Sequence, residues 1–227
     1  MKILKDKEYP LHERLIIGVF LAAAAGGLDA YTYLFHGEVF AGLQTGNFIL
    51  LGLNLGQGDF AAILRYLVPI TAFFIGSAAT RFLQHQLADD TSQRNRQKIV
   101  LILEISLMVV VALLSPYISD KLASALLSLA AAAQLQEFRK LHAGPFTSLM
   151  MTGNLRTLGE TTWDAFIHHD QKASAKFKDT AIIIFSFVCG ATLNSLFANV
   201  LGFATIILSA VILLIPLFIL HFIKEKH

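Results

Sequence analysis

The sequence is short of charge. Asp, Glu, Lys and Arg make up 15% of its 227 residues, where a soluble chain carries roughly a quarter. A soluble fold needs charge to cover its surface, so this deficit argues against an ordinary soluble domain. Cysteine is scarcer still. The single Cys189 excludes an intramolecular disulfide framework. It stands in an apolar run, where a small buried hydrophobe is the expected role. The net charge of +2 leaves no strongly basic field, which argues against nucleic acid as a partner. There is no H-E-x-x-H, no G-x-S-x-G, no phosphate loop and no pair of cysteine ligands. The expectation is therefore a protein that is not an enzyme and carries no cofactor or metal. A cleavable leader is not expected either, because Met1 to Arg14 is polar and mixed in charge. The apolar run that follows is too long for a secretory signal, so it should remain as a first helix.

What is present is hydrophobic: 55% of residues, with a mean hydropathy of +0.61. A membrane span needs about 20 mostly apolar residues. Six segments qualify, namely Leu15–Phe35, Ala61–Leu83, Ile99–Ser115, Leu122–Phe138, Thr180–Leu201 and Phe203–Ile223. Two more are ambiguous. Phe40–Gly56 is apolar but glycine-rich, and Phe146–His168 carries Arg156, Glu160 and Asp164. Each Arg or Asp would cost about 2.5–3.5 kcal/mol in hydrocarbon, so that segment cannot face lipid.

Basic residues accumulate on the cytoplasmic side, and they separate two topologies. If all eight segments cross with the N-terminus inside, eleven basic residues lie inside and six outside, with Arg156 buried. If the two ambiguous segments enter and leave on one side, fifteen lie inside and only Arg65 and Lys121 outside. The second division is far more polarised, so six spans with both termini cytoplasmic are expected.

The two halves resemble each other. Ala22–Ala25 recurs as Ala130–Ala133, and at the same shift of 108 Asp29 falls on Glu137. His36 answers to His142 and Phe40 to Phe146 at a shift of 106. Thr45-Gly46-Asn47-x-x-x-Leu51-Gly52 recurs as Thr152-Gly153-Asn154-x-x-x-Leu158-Gly159 at 107. With three spans per unit, the second copy starts on the opposite side of the membrane. The expected fold is thus all-α: a single polytopic domain over 1–227, with inverted three-helix repeats at about 15–116 and 122–223. Each repeat holds a re-entrant or broken Thr-Gly-Asn segment. Many channels and secondary transporters have this architecture, with sites near the midplane at the repeat interface.

The run Gly26-Gly27-Leu28-Asp29-Ala30, then Gly42-Leu43-Gln44-Thr45-Gly46-Asn47, with the second Thr-Gly-Asn at Thr152–Asn154, resembles the YoaK-type family of uncharacterised bacterial integral membrane proteins. The resemblance covers most of the chain. It implies a protein of the bacterial cytoplasmic membrane, and it implies no substrate.

Several residues could carry function. In Thr45, Gly46, Asn47 and Thr152, Gly153, Asn154, glycine permits unusual backbone and asparagine supplies donors and an acceptor. A broken helix lining a watery path is one reading. The other is close packing through Gly42-x-x-x-Gly46 and Gly52-x-x-x-Gly56. Asp29 and Glu137 each lie about 15 residues into a span, roughly 22 Å along the helix. An intramembrane acid could carry a proton or meet a cation, or could be a bonded helix-end carboxyl. Glu104, one or two turns into its span, is expected to snorkel. Arg156, Glu160 and Asp164 recur at i,i+4 and share a face, which suits either a polar path or an interfacial helix anchored by Trp163. His168-His169-Asp170 reads as a solvated turn, and His36 and His142 as boundary residues.

The leading functional expectation is a transporter or channel for a small polar solute, with proton coupling through Asp29 and Glu137. The alternatives are a non-transporting interaction protein, whose glycines only pack helices, and an intramembrane enzyme. The partners expected are the lipid bilayer, the solute and further copies of the chain as a homo-oligomer.

Overall fold

The computed structural model describes residues 8–88 and 90–223. Five of the basic residues counted above, Lys2, Lys5, Lys7, Lys224 and Lys226, lie outside the described residues. The fold is helical. In chain order the helices are α1 (Leu15–Phe35), α2 (Gln44–Gly56), α3 (Ile63–Gln86), α4 (Asp90–Leu114), α5 (Asp120–Glu137), α6 (Met151–Phe166), α7 (Gln171–Leu201) and α8 (Ile207–Phe222). Between α5 and α6 a two-residue hairpin pairs Lys140 with Pro145 and Leu141 with Gly144, antiparallel. Its turn holds His142 and Ala143 at positive φ.

Among the described residues, four helical stretches are long and apolar enough to cross a membrane. They are Leu15–Phe35, Phe60–Gln86, Gln93–Leu114 and Gln171–Phe222, the last a 52-residue stretch containing α7 and α8. The chain is a polytopic membrane protein. The expected span Leu122–Phe138 forms a helix but is absent from that set. The 18 residues of α5 include Asp120, Lys121, Gln134, Gln136 and Glu137, and its surroundings tolerate that polarity: Ala130, Ala131, Ala132 and Ala133 are at most 2% exposed. A helix sheathed by protein has no need of a lipophilic surface, so α5 is built from alanine with Ser128 and Gln134 buried beside it. Two helices are longer than their apolar runs, because polar first turns precede them, at 90–98 for α4 and 171–179 for α7.

The two ambiguous segments resolve into an extended stretch followed by a short helix. At 1.5 Å per residue, the 13 residues of α2 and the 16 of α6 reach roughly 20 and 24 Å, short of a ~30 Å hydrocarbon core. Helix α2 lies against α3, and α6 against α7.

Packing follows a regular scheme. The closest pairs are α1 with α7 and α3 with α5. In addition α1 meets α8, α5 meets α4, and α4 meets α8. Glycine makes the first two approaches possible. A β-carbon at Gly26 would overlap the Phe187 carbonyl, one at Gly190 would overlap the Ala23 carbonyl, and one at Gly76 would crowd Leu129 and Ala132. By contrast Gly52, Gly56, Gly153 and Gly159 have no atom within 4 Å of that position. The spacing Gly52-x-x-x-Gly56 therefore does not pack helices within the chain. Cys189, expected to be buried, is exposed, because α7 turns Gly190, not Cys189, toward α1.

Polar contacts tie the bundle at two ends. At one, Gln84, Arg96 and Glu137 cluster, Arg94 donates to the Leu220 carbonyl (2.6 Å), and Ala143 N–H donates to Glu13 (2.8 Å). At the other, the end of α1 meets the α4–α5 and α7–α8 junctions. There Tyr31 OH lies 3.1 Å from Ser115 Oγ and donates to the Phe203 carbonyl (3.0 Å).

Substitution of Gly190 by Leu should destabilise the protein by at least about 3 kcal/mol, at the upper end of overpacking costs. Gly153→Ala should change stability by less than about 1 kcal/mol and in the favourable direction. Thermal unfolding of the detergent-solubilised variants reads both. Equal melting points would show that the α1–α7 contact is not the close approach described here.

Candidate functional site

The loop that follows α1 is extended, so its amides cannot bond within a helix. Three consecutive ones are taken by side chains. Phe40 N–H donates to Asn47 Oδ1 (2.9 Å), Ala41 N–H to Thr32 Oγ1 (3.1 Å) and Gly42 N–H to Asp29 Oδ1 (2.6 Å). Asp29 and Thr32 lie at i,i+3 on α1 and share a face. Asn47 closes the motif by donating from Nδ2 to the Phe40 carbonyl (2.7 Å) and to Gln44 Oε1 (2.8 Å). It is fully buried. Thr45 points out, and Gly46 makes room for the Phe40 ring.

In the second half, Asn154 Nδ2 donates to the Thr147 carbonyl (3.0 Å), again seven residues back. Thr152 and Gly153 are exposed. The two loops touch, with buried Leu149 filling the space that a side chain on Gly42 would need. At the shift of 107, Gly42 falls on Leu149.

Asp29 and Glu137 occupy equivalent positions in unlike settings. Asp29 is 5% exposed. Its Oδ1 holds the Gly42 amide, while Oδ2 has no hydrogen-bond partner among the described residues. Glu137 ends α5 and accepts from Arg96 Nε through both oxygens (2.9 and 2.8 Å) and from Gln84 Nε2 (3.0 Å). Arg96 also donates to the Leu87 carbonyl. This cluster clasps the ends of α3, α4 and α5.

Sequence reasoning missed two of these groups. Glu104 does not snorkel but is fully buried, because α4 starts at Asp90 and sets it mid-helix. In the orientation that satisfies both ends of its amide, Gln134 donates to Glu104 (2.9 Å) and accepts from Ser148 Oγ (2.6 Å). Arg96, only three residues before an apolar run, gave no sign of its carboxylate partner.

Arg156 and Glu160 form an exposed i,i+4 ion pair at 3.0 Å on α6, away from Asp29. Trp163 is 62% exposed and donates to His168 Nε2 (3.2 Å). Asp170 caps α7 by accepting from Lys172 N–H (2.7 Å), so the His-His-Asp tract is a helix start.

Beside Asp29 an open cleft of 560 Å³ lies between α1, the loop and α7. Its walls include Asp29, Tyr33, Phe40, Phe187, Thr192 and Ser195. Beyond the contact of Gly26 with Phe187 the two helices leave room, and small residues, Ala30 and Ala191, line it.

At the far end of α1, His36 is 1% exposed. Its Nδ1 lies 3.1 Å from Asp120 Oδ1 and its Nε2 3.4 Å from Ser115 Oγ. Burial lowers its pKa from the ordinary 6.5, and Asp120 opposes that shift. The unfolded chain then takes up the proton first.

Compared with known proteins, the chain matches the family model described as "Protein of unknown function (DUF1275)" over residues 17–219. It is 28% identical over 182 residues to the UPF0700 transmembrane protein YoaK of Bacillus subtilis (strain 168), covering 78% of this chain and 80% of that one. No solved structure matches.

Two measurements follow. Arg96→Met and Glu137→Gln should each cost about 3–5 kcal/mol, because each leaves a buried partner unpaired, and the double variant should cost much less than their sum. Additive losses in a thermal double-mutant cycle would mean the pair is not coupled. Stability of the wild type should be full above about pH 6.5 and should decline as pH falls through that value, since the lowered pKa of His36 disfavours protonation of the folded state. His36→Gln should flatten that decline. An unchanged profile would assign it to other groups.

Proposed function

The chain belongs to the DUF1275 family, and from that premise we propose that it is a transporter of a small polar solute in the bacterial cytoplasmic membrane, and not an enzyme. The reading includes six crossings, cytoplasmic termini and two inverted halves. What carries it is the helix pairing. Exchanging the halves turns α1 into α5, α2 into α6, α3 into α7 and α4 into α8. The contacts α1–α7 and α3–α5 then exchange, as do α1–α8 with α5–α4 and α2–α3 with α6–α7. The α4–α8 contact maps onto itself. The two helix breaks touch at equivalent residues, Gly42 and Leu149, as expected where an axis passes through the middle of a bilayer.

Polar contacts support the same topology. The end of α1 and the start of α3 come together where Arg65 lies beside Gly37, as the reading requires if residues 36–62 return to the side they left. The end of α5 and the start of α7 meet through His142 and Asp179, 3.1 Å apart. Both short helices are then re-entrant. Broken backbone inside a bilayer is tolerated where protein or a watery cavity covers it, and transporters place solute sites at such breaks. Asp29 is the group proposed to couple a proton to the solute, and the Arg96–Glu137 clasp is proposed to close the cytoplasmic end.

A homo-oligomer is a companion reading. The open glycine faces of α2 and α6 and the exposed Arg156–Glu160 pair favour contact with further copies.

The test is uptake into proteoliposomes across a panel of radiolabelled polar metabolites, under an inward proton gradient. At least one solute should accumulate several-fold above protein-free liposomes, and Asp29→Asn should abolish its response to the gradient. If nothing in the panel accumulates above protein-free liposomes, the transport reading fails. If Asp29→Asn leaves the response unchanged, the carboxyl is structural and the coupling idea is wrong.

A further inference from the structure

The cleft beside Asp29 has an unusual balance of groups. Asp29 is the one charged residue among its lining residues, which include no Lys, Arg or His. One carboxylate oxygen is committed to the Gly42 amide, and the other is buried and makes no hydrogen bond among the described residues, although the Leu43 and Ala41 amides also lie close to the carboxyl. A buried carboxylate oxygen left without a donor is unfavourable and is relieved by a proton or by a positively charged group with N–H hydrogens, of which the second also fills the cleft. The remaining walls are largely apolar. Phe40, Leu43, Phe187 and Leu196 surround the acid, and Tyr33 stacks on Phe40 with ring centroids 5.3 Å apart. Aromatic faces attract cations as well as hydrocarbon. Thr192 and Ser195 on α7 add two hydroxyls on the wall facing α1.

Size and coordination narrow the class. A volume of 560 Å³ lies in the roughly 300–1,000 Å³ range of pockets for small organic ligands. An inorganic cation such as Ca²⁺ takes about 6–8 oxygen ligands, and an apolar wall offers it too few. A hydrocarbon chain, such as a lipid tail, would leave the Asp29 oxygen unanswered. Leu34 and Leu196, among the lining residues, are 48% and 70% exposed, so part of the cleft's margin is apolar.

We propose that this cleft, on the reading that it is the solute site, binds a monovalent organic ammonium ion with a compact apolar body. Binding uncovers Asp29 Oδ2, to which the ammonium donates, and the apolar body packs against Phe187 and Phe40.

The experiment measures equilibrium binding of radiolabelled phenethylammonium to the purified full-length protein in detergent, with phenethyl alcohol and phenylacetate as competitors of the same shape. Binding should be saturable. A hundredfold excess of either competitor should fail to displace it. Asp29→Asn, which keeps an acceptor for the Gly42 amide, should weaken binding at least tenfold. Ala191→Phe, which fills the cleft without touching the carboxylate, should do the same, and it carries the test if Asp29→Asn fails to fold. Melting points of both variants are measured alongside. Absence of saturable binding would overturn the proposal. So would unchanged affinity in a folded Asp29→Asn, or displacement by the alcohol at equal potency, which marks a merely greasy surface. Uptake of a sugar or carboxylate without ammonium binding would sink this inference and leave the transport reading standing. Ammonium binding that depends on both residues, with no uptake of any solute, would do the reverse.

Discussion

A chain that leaves helical geometry inside a bilayer must find partners for its freed amides within the protein, since hydrocarbon offers none. On the proposed topology, much of this molecule follows from how that demand is met after α1. Three successive amides are taken by Asn47, Thr32 and Asp29, three side chains from two helices converging on one strand of backbone. The bonds fix where α2 begins and press Gly42 against Leu149. They also use one oxygen of Asp29 and leave the other buried without a hydrogen bond among the described residues. On the proposed reading, a structural task and a binding capacity come from one carboxylate. The glycine contacts between α1 and α7 set how close the neighbouring wall can come, and the small side chains beyond them leave the cleft.

The two proposed repeats share a scaffold and differ in what they do with it. Both asparagines bond the residue seven positions earlier. The acids diverge: Asp29 turns to backbone, whereas Glu137 has Arg96 and Gln84 in reach and pairs with them. A guanidinium is the stronger partner for a carboxylate, so the second acid becomes a clasp between helix ends. On the proposed inverted arrangement, the clasp and the cleft belong to opposite sides of the membrane, the asymmetry that one closed end and one open end require.

Much of this was legible in the sequence. The apolar runs gave the long helices, and the paired Thr-Gly-Asn motifs marked both breaks. Asp29 and Asn47 stood out as polar residues in apolar company. What escaped depends on contacts between segments far apart in the chain. Arg96 and Glu137 are 41 residues apart, and no spacing rule joins them. Glu104 was misread because its helix begins in a polar stretch that hydropathy assigns to a loop. Segment Leu122–Phe138 was read as a span from its apolar residues, yet its central burial shows only in packing. Thr192 and Ser195 look incidental on α7 until the structure brings them with Asp29 into the lining of one cleft.

The account rests on the cleft beside Asp29 being wet and open to solute, and thiol accessibility reads that directly. Cys189→Ser removes the one native thiol, and Thr192→Cys then places a reporter on the α7 wall. In intact membranes it should react with a cationic, water-soluble methanethiosulfonate faster than with an anionic one. The preference should vanish when Asp29→Asn is added. A reporter that resists both charged reagents and reacts only with a lipid-soluble maleimide would show a dry, lipid-filled groove, and the transport account would be contradicted.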